Sequence, residues 1–361
     1  MNRSKLAFLT SLIFAILALV FYFNDNLTWT GWSVFLFWIM LGLGTRGYDH
    51  LKGYTYTIMI FAAVSIALFF PWYLDEWGGL KLTTLITPLI QLIMFGMGTS
   101  MSVNDFVGVA KMPKGVMVGV VSQFSIMPFL GFALASISGF EAEIAAGMIL
   151  IGCSPSGMAS NVMSYLAKAN LALSITITAV TTLMAPFVTP FLMKMLAGAL
   201  IEINILDMMW DIVKMVIIPI GAGLLFNKLL SGKAKWLDDA MPLVSMAGIG
   251  FIIAIITAAG RDSLLNIGPL LMLFVLIHNV FGYILGYLFG KAVKMDERDC
   301  RTIAIEVGMQ NGGLASGIAK EMGKIATVGL APAIFGPLMN ITGSILASYW
   351  HKRPPKNSKI V

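Results

Sequence analysis

One acid stands where an apolar chain should not carry one. Glu306 lies several residues into an apolar run, in Ile303-Ala304-Ile305-Glu306-Val307-Gly308, whereas nearly all of the 18 carboxylates fall in loops or at the ends of such runs. If the run crosses a membrane, an ionised carboxylate there costs about 3 kcal/mol even on lenient insertion scales. It must be protonated or meet a cation. No Lys, Arg or His occurs in Gly152–Asn161, the other polar stretch set deep in an apolar run. A bound metal ion is the economical partner, and a protonated Glu306 hydrogen-bonded to a neighbour is the alternative. The oxygens available are neutral: Ser160, Asn161, Ser174, Thr178, Gln123, Gln310 and freed backbone carbonyls. Ser174 and Thr178 are four apart and share one helix face. Such a pair otherwise serves as glue between membrane helices. Oxygen ligands suit hard cations. Two cysteines, Cys153 and Cys300, and three histidines give no zinc or copper cluster and no disulfide framework. A lone carboxylate among neutral oxygens suits a monovalent ion better than calcium, so the ion expected is Na+.

Small residues interrupt the runs on both sides of this chemistry. Gly152-Cys153-Ser154-Pro155-Ser156-Gly157 breaks one, and Gly308 with Gly312-Gly313 loosens the other. Gly and Pro are frequent in membrane helices, but here polar residues crowd both breaks. Unwound backbone at membrane depth survives only where protein buries it or where it lines a cavity. The two breaks are also in register. Dividing the chain from residue 54 into units of about 54–198 and 208–350 puts Gly157 at offset 103 (157 − 54) and Gly312 at offset 104 (312 − 208). Five spans in each unit would make two inverted repeats whose broken helices meet near the midplane.

The composition supplies the elements that must hold these residues. Apolar residues make up 58% of the 361 and charged residues 12%, with a mean hydropathy of +0.86. A soluble domain carries about 25% charge, so the fold class expected is an all-α integral membrane protein. Runs able to cross about 30 Å of hydrocarbon fall near 5–23, 31–45, 54–74, 82–101, 115–136, 143–166, 171–192, 208–229, 241–259, 268–290, 301–319 and 326–350, the second being the weakest. With the N-terminus inside, 18 Lys and Arg fall on the inner side. Five fall outside: Lys81, Lys194, Arg261, Lys320 and Lys324. Lys214 sits within a span, paired by spacing with Asp211. This split predicts both termini in the cytoplasm of a multi-pass protein of the inner (plasma) membrane. The first run could be a signal peptide, but no small-x-small site follows it. Residues 1–50 read as two extra helices, 51–350 as the transport unit and 351–361 as a cytoplasmic tail.

At this point the residues resemble the bile acid:sodium symporter family. Gly152 through Val162, continuing through Tyr165-Leu166-Ala167 and Leu173-Ser174 to Thr178, looks like its first signature, and Glu306-Val307-Gly308-Met309-Gln310-Asn311 like its second. The resemblance covers about 54–350. It implies a ten-helix core of two five-helix inverted repeats, with a panel, a core and crossing broken helices, and about two extra N-terminal helices in this chain. It also implies two sodium sites. One would use Ser160, Asn161, Ser174, Thr178 and Glu306. The other would use Gln123, Glu306, Gln310 and main-chain oxygens near Val307 and Met309. Asn311 and Asn340 match positions near the substrate cavity. The chain departs from the family pattern at Ser156 for a common glycine, Met158 for a common bacterial threonine, Gly312 for a common serine and Met339 for a histidine found in some members. The sodium ligands are kept while positions facing the substrate differ.

The function expected is sodium-coupled symport of a small organic anion (bile-acid-like, pantoate or a keto acid) across the lipid bilayer. No nucleic acid and no obligate protein partner is called for. The half-helix starting near Met158 would offer its N–H groups and positive end to the anion, and the one near Asn311 a similar end. A sodium/proton antiporter would need a titrating core Asp, and an uncoupled channel would ignore sodium. An enzyme is disfavoured: Gly152-Cys153-Ser154-Pro155-Ser156 misses G-x-S-x-G at its last position, and His278 reads as structural.

Overall fold

The computed structural model describes residues 3–48, 51–101, 108–230 and 235–355. The end of the tail, 356–361, lies outside them, as do residues 1–2 and 49–50 and Lys233, Lys356 and Lys359 of the inner cations.

The N-terminal pair is α1 (Arg3–Phe23) and α2 (Leu27–Thr45). The second run is longer than its apolar stretch, because the Asn26 side chain accepts from the Trp29 N–H at 3.2 Å and starts the helix at Leu27. Helix α3 (Thr55–Phe69) stops short of the expected 54–74 where Pro71 opens a 3₁₀ turn. A short antiparallel hairpin follows, β1 (Glu76–Trp77) with β2 (Leu80–Lys81), in an otherwise helical fold that matches the all-α expectation. Its cause is Gly78-Gly79, at φ +57° and +89°: a two-residue hairpin turn of the mirror-image type needs positive φ at both central residues.

Then come α4 (Ile86–Ser100), α5 (Pro113–Ser138), α6 (Ala142–Cys153), α7 (Ala159–Leu166), α8 (Leu171–Ala197) and α9 (Ile205–Ile212). One π turn, Val213–Ile217, joins α9 to α10 (Ile218–Leu230). The chain closes with α11 (Lys235–Ala259), α12 (Arg261–Ala292), α13 (Glu297–Gly308), α14 (Gly312–Glu321) and α15 (Leu330–His351). Lys214 pairs with Asp211 at 2.7 Å, as their spacing predicts.

Eight of these helical segments are long and apolar enough to cross a membrane, and Thr55–Phe69, Ala142–Cys153 and Leu243–Ala259 are shorter apolar helices. The expected runs 143–166 and 301–319 are each divided in two, α6/α7 and α13/α14. Large apolar side chains cover the outside, among them Leu9, Ile13, Phe129, Phe187, Leu206 and Leu288. In water that would be an aggregation surface; against acyl chains it is the expected one. The core lies around the two interrupted helices. Every residue of α6 from Ile144 to Cys153 and of α13 from Cys300 to Gly308 is buried.

Candidate functional site

The break between α6 and α7 crosses the break between α13 and α14 as a miniature antiparallel bridge, Ser156 opposite Gln310. The Gly157 N–H donates to the Met309 carbonyl and the Asn311 N–H to the Pro155 carbonyl, both at 2.8 Å. Gly157 has to be glycine here, because a Cβ would stand 2.7 Å from the Gln310 oxygen.

Interrupting a buried helix frees carbonyls that water cannot reach, and each must find a donor. Thr189 donates to Cys153 O at 2.8 Å and Gln123 Nε2 to Ser154 O at 2.9 Å. In the second break, Ser156 Oγ donates to Glu306 O at 3.1 Å and Gln310 Nε2 to Val307 O at 2.6 Å. Asn279 Nδ2 donates to Gly308 O at 2.7 Å. The crossing is therefore held by designated side chains from α5, α8 and α12.

On one side of the crossing, the first expected set comes together. Glu306 is fully buried. Ser174 Oγ donates to its Oε1 at 2.5 Å and Thr178 Oγ1 to its Oε2 at 2.8 Å. The Asn161 amide oxygen lies 2.9 Å from Ser174 Oγ and 3.4 Å from Thr178 Oγ1, and Ser160 Oγ lies 3.2 Å from Thr178 Oγ1. With the Asn161 amide turned so that its oxygen faces the hydroxyls, the cluster is short of protons. Three hydroxyls bring one hydrogen each, yet they face one another, the amide oxygen and the carboxylate in five contacts. A protonated Glu306 would supply only a fourth hydrogen.

On the other side the second set is assembled differently. Gln123 Nε2 also reaches Gln310 Oε1 at 2.8 Å, and Ser156 Oγ lies 3.4 Å from Gln123 Oε1. The Val307 carbonyl already accepts from Gln310, and the Met309 carbonyl from Gly157. Amide hydrogens meet Ser154 O, Gln310 Oε1 and Val307 O, so the 3.4 Å contact between Ser156 and Gln123 is the one here that competes for a hydrogen already given to Glu306 O.

The three residues expected near substrate are spread around the same crossing. Met158 is 39% exposed at the start of α7. The Asn311 side chain caps α14, accepting from Leu314 N–H at 3.0 Å. Asn340 donates to its own helix, to Gly336 O at 2.9 Å. It sits one turn from Gly336, which lies beside Gly312, and one turn from Ser344, whose hydroxyl meets Met163 Sδ at 3.8 Å. Asn340 is thus placed between the second halves of both broken helices.

The chain matches the Sodium Bile acid symporter family over residues 87–267. The uncharacterized sodium-dependent transporter YocS of Bacillus subtilis (strain 168) is 38% identical over 312 residues, covering 86% of this chain and 95% of that protein. The probable sodium/metabolite cotransporter BASS1, chloroplastic, of Arabidopsis thaliana is 30% identical over 287 residues, covering 80% and 70%. Its namesake in Oryza sativa subsp. japonica is 31% identical over 278 residues, covering 75% and 68%. The chain belongs to the Sodium Bile acid symporter family. It is a multi-pass membrane transporter and not an enzyme.

Several residues of this family member act on the crossing without a local sequence signal. Asn279, beside His278 in an apolar run, satisfies the broken end of α13 and accepts from Thr342 at 2.5 Å. His278 itself is buried with Nε2 3.0 Å from Met127 O, a structural position rather than that of a base. Arg301, which the charge count treats as an inner-side cation, is only 5% exposed. It pairs with Glu297 at 2.9 Å and reaches the carbonyls of Ala167, Trp350 and Arg353 at 3.4, 3.3 and 2.8 Å. Its only local cue is the i,i+4 spacing from Glu297. Asn170 and Thr302 form a second rivet, with Asn170 N–H on Thr302 Oγ1 at 2.9 Å and Asn170 Nδ2 on Asp299 at 2.8 Å. Each lies one turn before a member of the Ser174–Glu306 pair.

Proposed function

We propose that this chain is a sodium-coupled symporter of a small organic anion, driven by two Na+ per substrate and working by alternating access. The observation that carries the sodium assignment is the proton-poor oxygen cluster around Glu306. Oxygens within 2.5–3.4 Å of one another with too few hydrogens between them gain from a hard cation, which turns each unfavourable oxygen pair into shared coordination. Ser160, Asn161, Ser174, Thr178 and Glu306 hold this first ion. Gln123, Gln310, Glu306 and the carbonyls of Val307 and Met309 hold the second, after the Gln310 amide swings off Val307 O. The three relatives named as a sodium-dependent transporter or as probable sodium/metabolite cotransporters support this choice of ion.

Residues 54–198 and 208–350 are read as inverted repeats. The reciprocal pair of 2.8 Å bonds at the crossing, Gly157 to Met309 and Asn311 to Pro155, supports a two-fold relation between them. Residues 1–50 form an N-terminal extension outside this transport unit, and 351–361 a tail. With both termini cytoplasmic in the plasma membrane, two sodium ions and one monovalent anion carry one net charge inward. At about 2.3 kcal/mol per charge per 100 mV, the potential alone supports roughly 50-fold accumulation. The anion, bile-acid-like, pantoate or a keto acid, would sit at the half-helix beginning near Met158, between Asn311 and Asn340. Sodium organises these helices before the anion arrives, which is binding linkage rather than chemistry.

The test is uptake of labelled organic anions into proteoliposomes under an imposed sodium gradient. Glu306→Ala should abolish sodium-driven uptake while the protein still inserts and folds. Near-normal sodium-dependent uptake in that variant would overturn the mechanism. Proton flux after a sodium pulse without organic substrate would mark an antiporter, and fluxes indifferent to sodium a channel.

A further inference from the structure

One cavity lies away from the crossing and has no part in the mechanism above. It is a groove of about 980 Å³ between the end of α2, α3 and α11. One end is polar, with Arg46, Thr55 and Tyr56. From there the walls are two apolar stripes at helical spacing: Met59, Ala63 and Ile66 on α3, and Met246, Gly250 and Ala254 on α11. Arg46 is exposed and makes no ion pair among the described residues.

We propose that this groove binds one anionic glycerophospholipid, its phosphate on Arg46 and one acyl tail along the α3–α11 stripes. Three features argue for that occupant. The groove is apolar except at one end, the polarity profile of a lipid. From Tyr56 to Ile66 it runs ten residues of helix, about 15 Å, which is about half of the ~30 Å hydrocarbon thickness and so one leaflet's tail. Among the described residues the only charge lining it is a guanidinium, whose planar fork suits a phosphate. Arg46 also follows directly on α2, so the N-terminal pair would earn its place by completing a lipid site on the transport unit. Thr45 fixes that end by bonding the Thr55 hydroxyl at 2.8 Å.

The groove can be filled without disturbing its walls. A Cβ added at Gly250 meets nothing within 4 Å, so Gly250→Phe puts a ring where the tail would lie. The full chain is reconstituted in nanodiscs of equimolar phosphatidylglycerol and phosphatidylcholine, released into detergent, and its retained lipids are counted by native mass spectrometry. The wild-type protein should retain one phosphatidylglycerol in preference to phosphatidylcholine. Gly250→Phe should lose that lipid at unchanged helical content. Arg46→Gln, an exposed change that leaves the fold alone, should lower the preference for phosphatidylglycerol about fivefold, the weight of one cation at a charged membrane surface. Equal retention by wild type and Gly250→Phe, or an unchanged preference in Arg46→Gln, overturns the proposal. So does displacement of the lipid by free decanoate at low concentration, which would make the groove a site for soluble amphiphiles. None of these readouts involves sodium or uptake, so the result is independent of the transport reading.

Discussion

The two polar clusters that flank the crossing are built from similar side chains and balanced in opposite ways. Around the Glu306 carboxylate, three hydroxyls and an amide oxygen converge with fewer hydrogens than contacts. Around Gln123 and Gln310, the amide hydrogens meet Ser154 O, Gln310 Oε1 and Val307 O, two of them carbonyls that the breaks release. An oxygen-rich cluster already in place needs a cation and no rearrangement. A hydrogen-bonded one excludes a cation until an amide turns away. On the proposed two-sodium reading, the difference orders the binding events: the first ion would enter a preformed site, and the second would displace Gln310 from Val307 O at a cost of about 1 kcal/mol net.

The largest effect expected follows from removing oxygens on the proton-poor side. Ser174→Ala with Thr178→Val takes away two hydroxyls that touch the carboxylate and leaves it buried without a donor from α8. Binding of sodium, read as the sodium-dependent shift in Tm, should weaken about 100-fold, the weight of two hydrogen-bonding groups of about 1.5 kcal/mol each. The same double variant with an unchanged sodium dependence would remove the distinction between the clusters altogether.

A change on the amide side should alter stoichiometry more than affinity. Gln310→Ala deletes the arm that guards Val307 O. The Hill coefficient for sodium in uptake should fall from near two toward one, while the thermal shift produced by the first ion persists. If the coefficient stays near two, Gln310 is a structural tie and the second ion sits elsewhere.

How much of this was legible in the sequence depends on whether a feature is local. The interruptions at Pro155 and Gly312, the i,i+4 pair Ser174 and Thr178, and the isolation of Glu306 are local, and the fold brings them together as their types predict. The donors that close the break are not. Asn279 reaches Gly308 across 29 residues, Thr189 reaches Cys153 across 36 and Asn170 reaches Thr302 across 132. No periodicity marks such residues, because their roles are set by which helices pack side by side. The ties of Arg301 were illegible for the same reason. A cation at the start of an apolar run counts as an inner-side charge, and nothing local says that the ends of α7 and α15 are laid over it. The hairpin at 76–81 was missed because four residues carry no strand pattern, although Gly78-Gly79 is itself a turn signal.

Those long-range donors extend the comparison from ions to stability. Asn279→Leu leaves the Gly308 carbonyl buried and unpaired, and strips Thr342 of an acceptor. An unsatisfied buried group costs about 1–3 kcal/mol, so the variant should melt several degrees lower in detergent. Its sodium-induced shift should survive, because neither cluster has lost a ligand. A variant that melts normally but no longer responds to sodium would place Asn279 in the ion path instead.

The smallest effect is expected at Ser156, the one hydroxyl that touches both sides. Its Oγ donates to the main-chain oxygen of Glu306 at 3.1 Å and lies 3.4 Å from Gln123 Oε1, so it links the acid's backbone to the amide cluster. Ser156→Ala removes one neutral hydrogen bond of about 1 kcal/mol and no charged ligand. Sodium affinity should fall less than fivefold, and the Hill coefficient should drop slightly, because filling one cluster would be felt less by the other. The sign is informative even though the size is modest. If Ser156→Ala binds sodium more tightly with full cooperativity, the hydroxyl competes with the ion for Glu306 rather than conveying its arrival, and the order of filling inferred from the two clusters would have to be reversed.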